Sequence, residues 1–341
     1  MNRAIQWTEY PLEFAFTART SRETMRRRST FLLRKPSEAH TEGWRYGEAN
    51  FFESLAPESK ADFVLQLKAY CNGTIEYDDI TSSALRCGID MLEMPVADTE
   101  WTRGQAGIPI NGLIWMSDKH SMRRAISEKI DQGFKVLKLK IGGIDFEDEI
   151  DLLRSIRASF SPRELEVRLD ANGSFNTGNA LERLKRLSDY GIHSIEQPVP
   201  AGLLDAMSEL CRESPIDIAL DEELIGLTPD SCKLHILRDV RPRYIILKPT
   251  LCGGIREALK WQSLAEGEGV GWWMTSALES SIGLYYLAAH VSSLKPSMPQ
   301  GLGTGKIYTN NIGSGMSLSS GMLYGGAPNF DFEFLNTLEW Q

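Results

Sequence analysis

The chain has 341 residues, 42% hydrophobic and 24% charged, which is ordinary globular composition with material for a large core. Its net charge of −9 argues against bulk attraction to nucleic acid or an anionic membrane surface, and no apolar run approaches the ~18 residues of a membrane span. The start, MNRAIQWTEY, lacks the apolar segment of a secretion signal, and five scattered cysteines without a CxxC fit a reduced, cytoplasmic setting.

Residues 3 to 53 hold the β-like runs FAFTA and STFLLR, then GEANFF after the turn signal TEGWRYG. Two helical patterns follow, one over 58–71 stopped by Asn72-Gly73, the other over 79–94 stopped by Pro95. This first stretch, 1–105, reads as an α+β capping domain to which the C-terminal tail returns.

From residue 106 to 320 the texture is alternation. PINGLIWM is a strand and SMRRAISEKIDQGF a helix with Ser121 as its cap. KVLKLKIG is a strand, and DFEDEIDLLRSIRASF is a helix whose acidic first turn suits the helix dipole. The strands LEVRLD, HSIEQP, IDIALDE, YIILKP and GWWMTS then alternate with five more helices. Short apolar strands between amphipathic helices imply parallel βαβ units, closed as a barrel or opened as a doubly wound sheet. No GxGxxG follows an early strand, which argues against a dinucleotide-binding sheet.

Polar residues recur near the strand ends: Lys138 and Lys140, then Asp170, Glu196, Asp221 and Lys248. From Lys140 onward the steps are 30, 26, 25 and 27 residues, each about one strand–helix repeat. In a barrel, equivalent points of consecutive repeats meet at the C-terminal rim, where active sites form. Three convergent carboxylates repel one another, so either their pKa values are raised or a cation is bound. All-oxygen ligation without His or Cys points to a hard ion, Mg²⁺ or Mn²⁺. Lysines on both sides of such an ion suit abstraction of a proton α to a carboxylate, with ion and ammonium groups stabilising the enediolate and a lysine as base. A cation and a second ammonium beside a basic amine favour its neutral form, which general-base work requires.

The run KLK, with RLDAN, IEQP, ALDE and ILKPTLCGG, resembles the enolase superfamily in its muconate-lactonising subgroup. INGLIWM, KPTLCGG, TSALESSIG and GLGTGKIYTNN resemble the o-succinylbenzoate synthases within it. The resemblance implies an α/β fold, a modified (β/α)7β TIM-type barrel with an N-terminal α+β capping domain. It implies Asp170, Glu196 and Asp221 as Mg²⁺ ligands, with Lys140 as base and Lys138 beside it. It implies Lys248 on the opposite face of the substrate, stabilising the enediolate. Asn172 is expected to support the metal shell, and Glu222, turned away by strand alternation, to stand behind it. In this family the loop after the first strand closes over the barrel mouth, which brings Arg19 or Arg22 of the basic stretch 18–28 toward a substrate carboxylate. Ser276 and Ser280 lie where the seventh strand enters its helix and serve either as anion-binding groups or as simple helix caps. Trp115, Trp272 and Trp273 read as core. Gly303 stands where many relatives carry an acidic residue, and dipeptide epimerases of the subgroup use an Asp-x-Asp there, so its absence weakens an epimerase reading.

Three lysines and a divalent cation against three carboxylates leave the inner site about +2, which suits a small anionic carboxylate substrate. The expected activity is Mg²⁺-dependent dehydration of 2-succinyl-6-hydroxy-2,4-cyclohexadiene-1-carboxylate to o-succinylbenzoate, a step of menaquinone biosynthesis. The alternative is racemisation or epimerisation of N-acylamino acids or dipeptides, with Lys140 and Lys248 as bases on opposite faces.

Overall fold

Long runs that alternate between buried and exposed residues build the first sheet. In the computed structural model, which describes residues 3–19, 23–38, 43–226 and 229–341, its strands are β1 (Gln6–Arg19), β2 (Thr24–Pro36) and β3 (Trp44–Ala49), in antiparallel order β1-β2-β3. Helices α1 (Lys60–Cys71) and α2 (Ser83–Glu93) cover it. Ser59 and Ser82 cap them, each accepting a backbone N–H of the first turn. The second helix starts later than its sequence pattern suggests, because Tyr77–Asp79 form a separate 3-10 turn.

After β4 (Gly107–Pro109) come β5 (Gly112–Ile114), α3 (Lys119–Asp131), β6 (Val136–Lys140), α4 (Phe146–Arg157), β7 (Glu166–Asp170), α5 (Ala180–Ser188) and β8 (Ser194–Glu196). They are followed by α6 (Leu204–Glu213), β9 (Ile218–Leu220), α7 (Asp230–His235), β10 (Tyr244–Leu247), α8 (Ile255–Gly267), β11 (Gly271–Met274) and α9 (Ser281–Leu294). Strands β5 to β11 form one parallel sheet in sequence order. Residues 300 and 301 close it. Gln300 N donates to Pro109 O at 2.8 Å and Asn111 N to Gln300 O at 3.0 Å, while Gly301 N donates to Met274 O at 2.8 Å on the other side. The result is a TIM-type barrel with seven βα units and a minimal eighth strand. The first helix of the series is capped by Asp118, whose carboxylate accepts from Ser121 N at 3.0 Å, and not by Ser121 as its position suggested. A carboxylate satisfies the same N–H and adds a favourable charge at the helix dipole. Helix α7 widens into π-helical turns over Ile236–Val240.

Beyond the barrel, β12 (Ser317–Ser319) and β13 (Met322–Tyr324) form a hairpin that pairs with β4, and α10 (Phe332–Thr337) leads back to the first sheet. There the Trp340 ring lies 5.9 Å from that of Tyr46, and Gln341 N donates to Trp7 O at 2.9 Å. The core runs from the barrel, through residues such as Leu139, Leu169, Ile195 and Leu220, into the first sheet at Leu12, Leu32 and Tyr46.

The N-terminal unit also ends two barrel helices. Helix α8 has Gly254 at its N-cap and so no capping side chain of its own. Asp90 of α2 supplies it, accepting from Arg256 N at 3.0 Å and pairing with Arg256 Nε at 3.0 Å; burial pushes the Asp90 carboxyl up to about 6. Glu48 of β3 does the same for α9, accepting from Ser280 N at 3.0 Å and Gly283 N at 2.9 Å. Asp90→Ala leaves buried N–H groups without an acceptor, so we expect a stability loss of about 1–3 kcal/mol. Urea denaturation checks it: an unchanged midpoint would remove the capping role, and Asp90→Asn, which keeps an acceptor, should lose less.

Candidate active site

Strand β6 is buried along its whole length. Leu137 and Leu139 point outward into the helix layer, which leaves Lys138 and Lys140 facing the barrel interior. The strand register puts Lys140 beside Asp170 and Asp170 beside Glu196. Lys138 Nζ lies 2.9 Å from Asp170 Oδ2 and 2.5 Å from Glu196 Oε2. Lys140 Nζ donates to Asp170 Oδ2 and to Asn172 Oδ1, both at 2.8 Å. From the opposite wall Lys248 forms an ion pair with Asp221 and lies 3.9 Å from Glu196 Oε1. All six side chains are thus gathered in one cluster at the C-terminal ends of their strands.

The chain is bent sharply just past two of these carboxylates. Asn172 and Gln197 adopt left-handed φ angles of 43° and 40°. Such a conformation is uncommon for Gln and tolerated by Asn, and it costs on the order of 1 kcal/mol or more. The distortion is held in place: Asn172 N donates to Asp170 Oδ1 at 3.0 Å, and Gln197 Oε1 accepts from Asp221 N at 3.3 Å.

Burial disfavours every charge in the cluster, and the partners decide the outcome. For Asp170 the lysines Lys138, Lys140 and Lys248 outweigh burial and hold the carboxyl far below its ordinary range. Asp221 is also lowered, by Lys248 against burial. Glu196 goes the other way: burial, and then the Asp170 charge, push it well above the carboxylate range. Burial would lower Lys138 and Lys248, but Asp170 and Glu196 hold the first, and Asp221 and Glu196 the second, above the usual lysine range.

Among the described residues no three Asp, Glu, His or Cys side chains stand ready-grouped around one ion, because the ammonium groups lie between the carboxylates. The donor chemistry nevertheless fits a hard cation. Glu196 is 2% exposed, and while its Oε2 faces Lys138 Nζ at 2.5 Å, its Oε1 has the Lys248 ammonium no nearer than 3.9 Å. Three carboxylates from neighbouring strands form an all-oxygen donor set.

The cluster opens into a cavity of about 830 Å³, part of it open to solvent, lined by Lys138, Lys140, Lys248 and Asn172 among others. Glu222 also lines it and accepts from Asn172 Nδ2 at 3.1 Å, contrary to the expectation that it points away. Strand β9 ends at Leu220 and a 3-10 turn begins at Glu222, so strand alternation no longer applies there. A fourth carboxylate lowers the expected inner charge by one.

Ser276 and Gly303 line the cavity, although the Ser276 hydroxyl is held between Glu279, at 2.5 Å, and Thr304, at 2.8 Å. Ser280 does not line it; its hydroxyl donates to Glu48 Oε2 at 2.6 Å and accepts from Ile282 N, which makes it a helix cap. Arg19 is exposed, pairs with Thr24 at the end of the β1–β2 ladder and is not part of the lining; Arg22 lies outside the described residues. The hairpin instead contributes Glu23 and Met25. Trp272 and Trp273 are buried, but Trp115 is half-buried, lines the cavity and packs its ring 5.5 Å from that of Phe16. Asn111 and Thr275 line the cavity and were not anticipated; the signal was a lone amide in the apolar run PINGLIWM and a Thr directly after GWWM.

Residues 121–304 match the model of the enolase C-terminal domain-like family. The chain is 51% identical over 225 residues to an o-succinylbenzoate synthase of Desulfotalea psychrophila, covering 66% of this chain and 61% of that protein. It is 32% identical over 161 residues to an N-succinylamino acid racemase of Thermus thermophilus, covering 47% of this chain and 41% of the racemase. The matched part therefore spans about three fifths of the first relative's length and two fifths of the second's. The crystal structure of MenC from Desulfotalea psychrophila superposes with a TM-score of 0.80 at 36% identity, covering 95% of this chain and all of that one.

Proposed function

This chain belongs to the enolase superfamily, and on that premise we propose that it is a cytoplasmic, Mg²⁺-dependent carbon–oxygen lyase that dehydrates 2-succinyl-6-hydroxy-2,4-cyclohexadiene-1-carboxylate to o-succinylbenzoate, in menaquinone biosynthesis. The observation that carries this reading is the 51% identity to a protein named o-succinylbenzoate synthase, in a chain whose three lysines line one cavity and pair with Asp170, Glu196 and Asp221.

Asp170, Glu196 and Asp221 would hold the Mg²⁺, with Asn172 and Glu222 supporting them. When bound, the ion supplies a Lewis acid that draws negative charge off the substrate carboxylate. Lys140, held by Asp170 and Asn172, takes the proton from the carbon bearing that carboxylate. The electron pair left behind forms the enediolate. Lys248, on the opposite wall, faces the developing charge with its ammonium. The enediolate then collapses, a carbon–carbon double bond forms, the C6–OH bond breaks, and Lys140 returns its proton to the departing hydroxide as water. The ring becomes aromatic, so the demand on the site is modest. Lys138, buried between Asp170 and Glu196, holds both carboxylates in place and keeps Asp170 charged.

A second reading, racemisation of an N-succinylamino acid, rests on the placement of Lys140 and Lys248 on opposite walls and on the similarity to the Thermus thermophilus racemase. Assay of the purified protein with Mg²⁺ against both substrates separates the two. We expect kcat/KM for the cyclohexadiene to exceed that for an N-succinylamino acid by more than about tenfold, or roughly 1.4 kcal/mol in transition-state binding. The reverse order would reassign the activity to racemisation.

A further inference from the structure

The strand that carries Lys140 runs out into two glycines. Ile141 N still donates to Asp170 O at 2.8 Å, which extends the pairing of β6 with β7 one residue past Lys140. Gly142 then turns to a left-handed φ of 88°, which glycine adopts without steric cost, and Gly143 follows it. Neither position has room for a side chain. A Cβ on Gly142 would lie 1.9 Å from Ser174 Oγ, and one on Gly143 would lie 1.8 Å from Met116 Sδ. The backbone thus passes closely between Met116 and the turn that follows Asp170. Glycines carry the largest backbone entropy of any residue, so this turn needs a fastening if the lysine just before it is to hold one position.

The fastening is a side chain of the next helix. Glu149, in the first turn of α4, is 2% exposed, and its Oε1 accepts from Gly142 N at 2.5 Å. Burial pushes the Glu149 carboxyl up to about 7, against the pull of the N–H groups of Gly142, Gly143 and Ile144 and of the Arg183 guanidinium. A carboxyl buried so deeply is costly, and the start of α4 does not require it. Asp145 already caps that helix, accepting from Glu147 N at 2.9 Å. The bends after Asp170 and Glu196 are held by groups within the cluster. The bend after Lys140 is held from behind it, by Glu149.

We propose that Glu149 is a positioning residue for Lys140: by holding the Gly142–Gly143 turn it fixes where β6 ends, and so keeps Lys140 Nζ at its contacts with Asp170 and Asn172. The proposal rests on the reading of Lys140 as the base. Glu149 does not line the cavity and acts only through the backbone it holds.

The test compares Glu149→Ala and Glu149→Gln with the wild type. It reads kcat with Mg²⁺ present, Mg²⁺ affinity by calorimetry, and the ¹³C NMR spectrum of protein labelled at lysine Cε. The Lys140 signal is assigned by its absence in Lys140→Met. Glu149→Ala is expected to lower kcat by about 10–100-fold, the cost of a reacting group misplaced by about 1 Å, while Mg²⁺ affinity stays within about twofold. The Lys140 signal should move. Glu149→Gln keeps an acceptor for Gly142 N, so kcat should stay within about fivefold of the wild type and the Lys140 signal should stay in place. Ser59→Ala removes a helix cap in the N-terminal unit, and should lower stability while leaving kcat and the Lys140 signal unchanged. Should Glu149→Ala fail to fold, Glu149→Asp, which keeps the charge and withdraws the oxygen from Gly142 N, is read in its place. An unmoved Lys140 signal in the shortened variant, a loss of Mg²⁺ affinity as large as the loss of kcat, the same effects in Ser59→Ala, or no rescue by Glu149→Gln overturns the proposal. If the Lys140 signal moves as expected but the wild type turns over neither the cyclohexadiene nor an N-succinylamino acid, the proposed activity fails and the positioning of Lys140 stands.

Discussion

Lys140→Ala is expected to lower kcat by about 10³–10⁴-fold while leaving the fold intact, because a positioned general base contributes about 10²–10⁴ and no other group is placed to take over. The two lysines of β6 are not equivalent. Lys138 is 4% exposed and bridges Asp170 and Glu196, so it is committed to them. Lys140 is 8% exposed, lines the cavity and, among the described residues, pairs with Asp170 and Asn172. Removing it leaves Asp170 still paired with Lys138 at 2.9 Å, so the buried charge is not abandoned and the protein should fold. Lys140→Met, closer in volume, separates loss of the amine from loss of packing. Steady-state kinetics beside a thermal melt read both quantities. Full activity in either variant would show that the base lies elsewhere.

Removing divalent metal is expected to abolish turnover by about 10³-fold or more, since a Lewis acid at a carboxylate contributes several kcal/mol. Readdition of Mg²⁺ should restore it. Glu196→Gln tests the ligand set directly. Glu196 sits on the middle strand of the three, and burial together with the Asp170 charge pushes its carboxyl up in spite of Lys138 at 2.5 Å. A cation shared by the three carboxylates would relieve that repulsion, and an amide in place of Glu196 would not contribute its charge. Apparent Mg²⁺ affinity, followed by calorimetry on the resting protein, should fall by about 100-fold or more, beyond the 10–100-fold typical of groups that merely support a ligand. Chelated protein with full activity, or a Glu196→Gln variant with wild-type affinity, would dismiss the metal assignment.

The repeat was written in the sequence. Short apolar strands between amphipathic helices bury both faces in a parallel sheet, and steps of 25 to 30 residues from Lys140 to Lys248 put one polar residue on each successive repeat. These are local properties, period and spacing, and the chain carries them without needing to know its partners. They determined a parallel βαβ repeat with Lys138, Lys140, Asp170, Glu196, Asp221 and Lys248 at equivalent points of it; closure into a barrel, which the family resemblance implied, is what brings the six together.

Other features depend on residues far apart in the chain, and only the tertiary structure decided them. Ser280 caps a helix, and does not bind a ligand, because Glu48 from the first sheet, 232 positions away, accepts its hydroxyl. Trp115 packs against the core yet also lines the cavity, with Phe16 of β1, 99 positions away, 5.5 Å from its ring. Glu222 turns inward because a backbone turn cuts strand alternation short one residue past Asp221. Asn111 and Thr275 become neighbours only when residues 300 and 301 close the barrel between them. The physical reason is common to all four. Hydrophobic period and charge spacing set which face of an element is buried, but which buried polar atom meets a partner depends on contacts that exist only after the elements have packed.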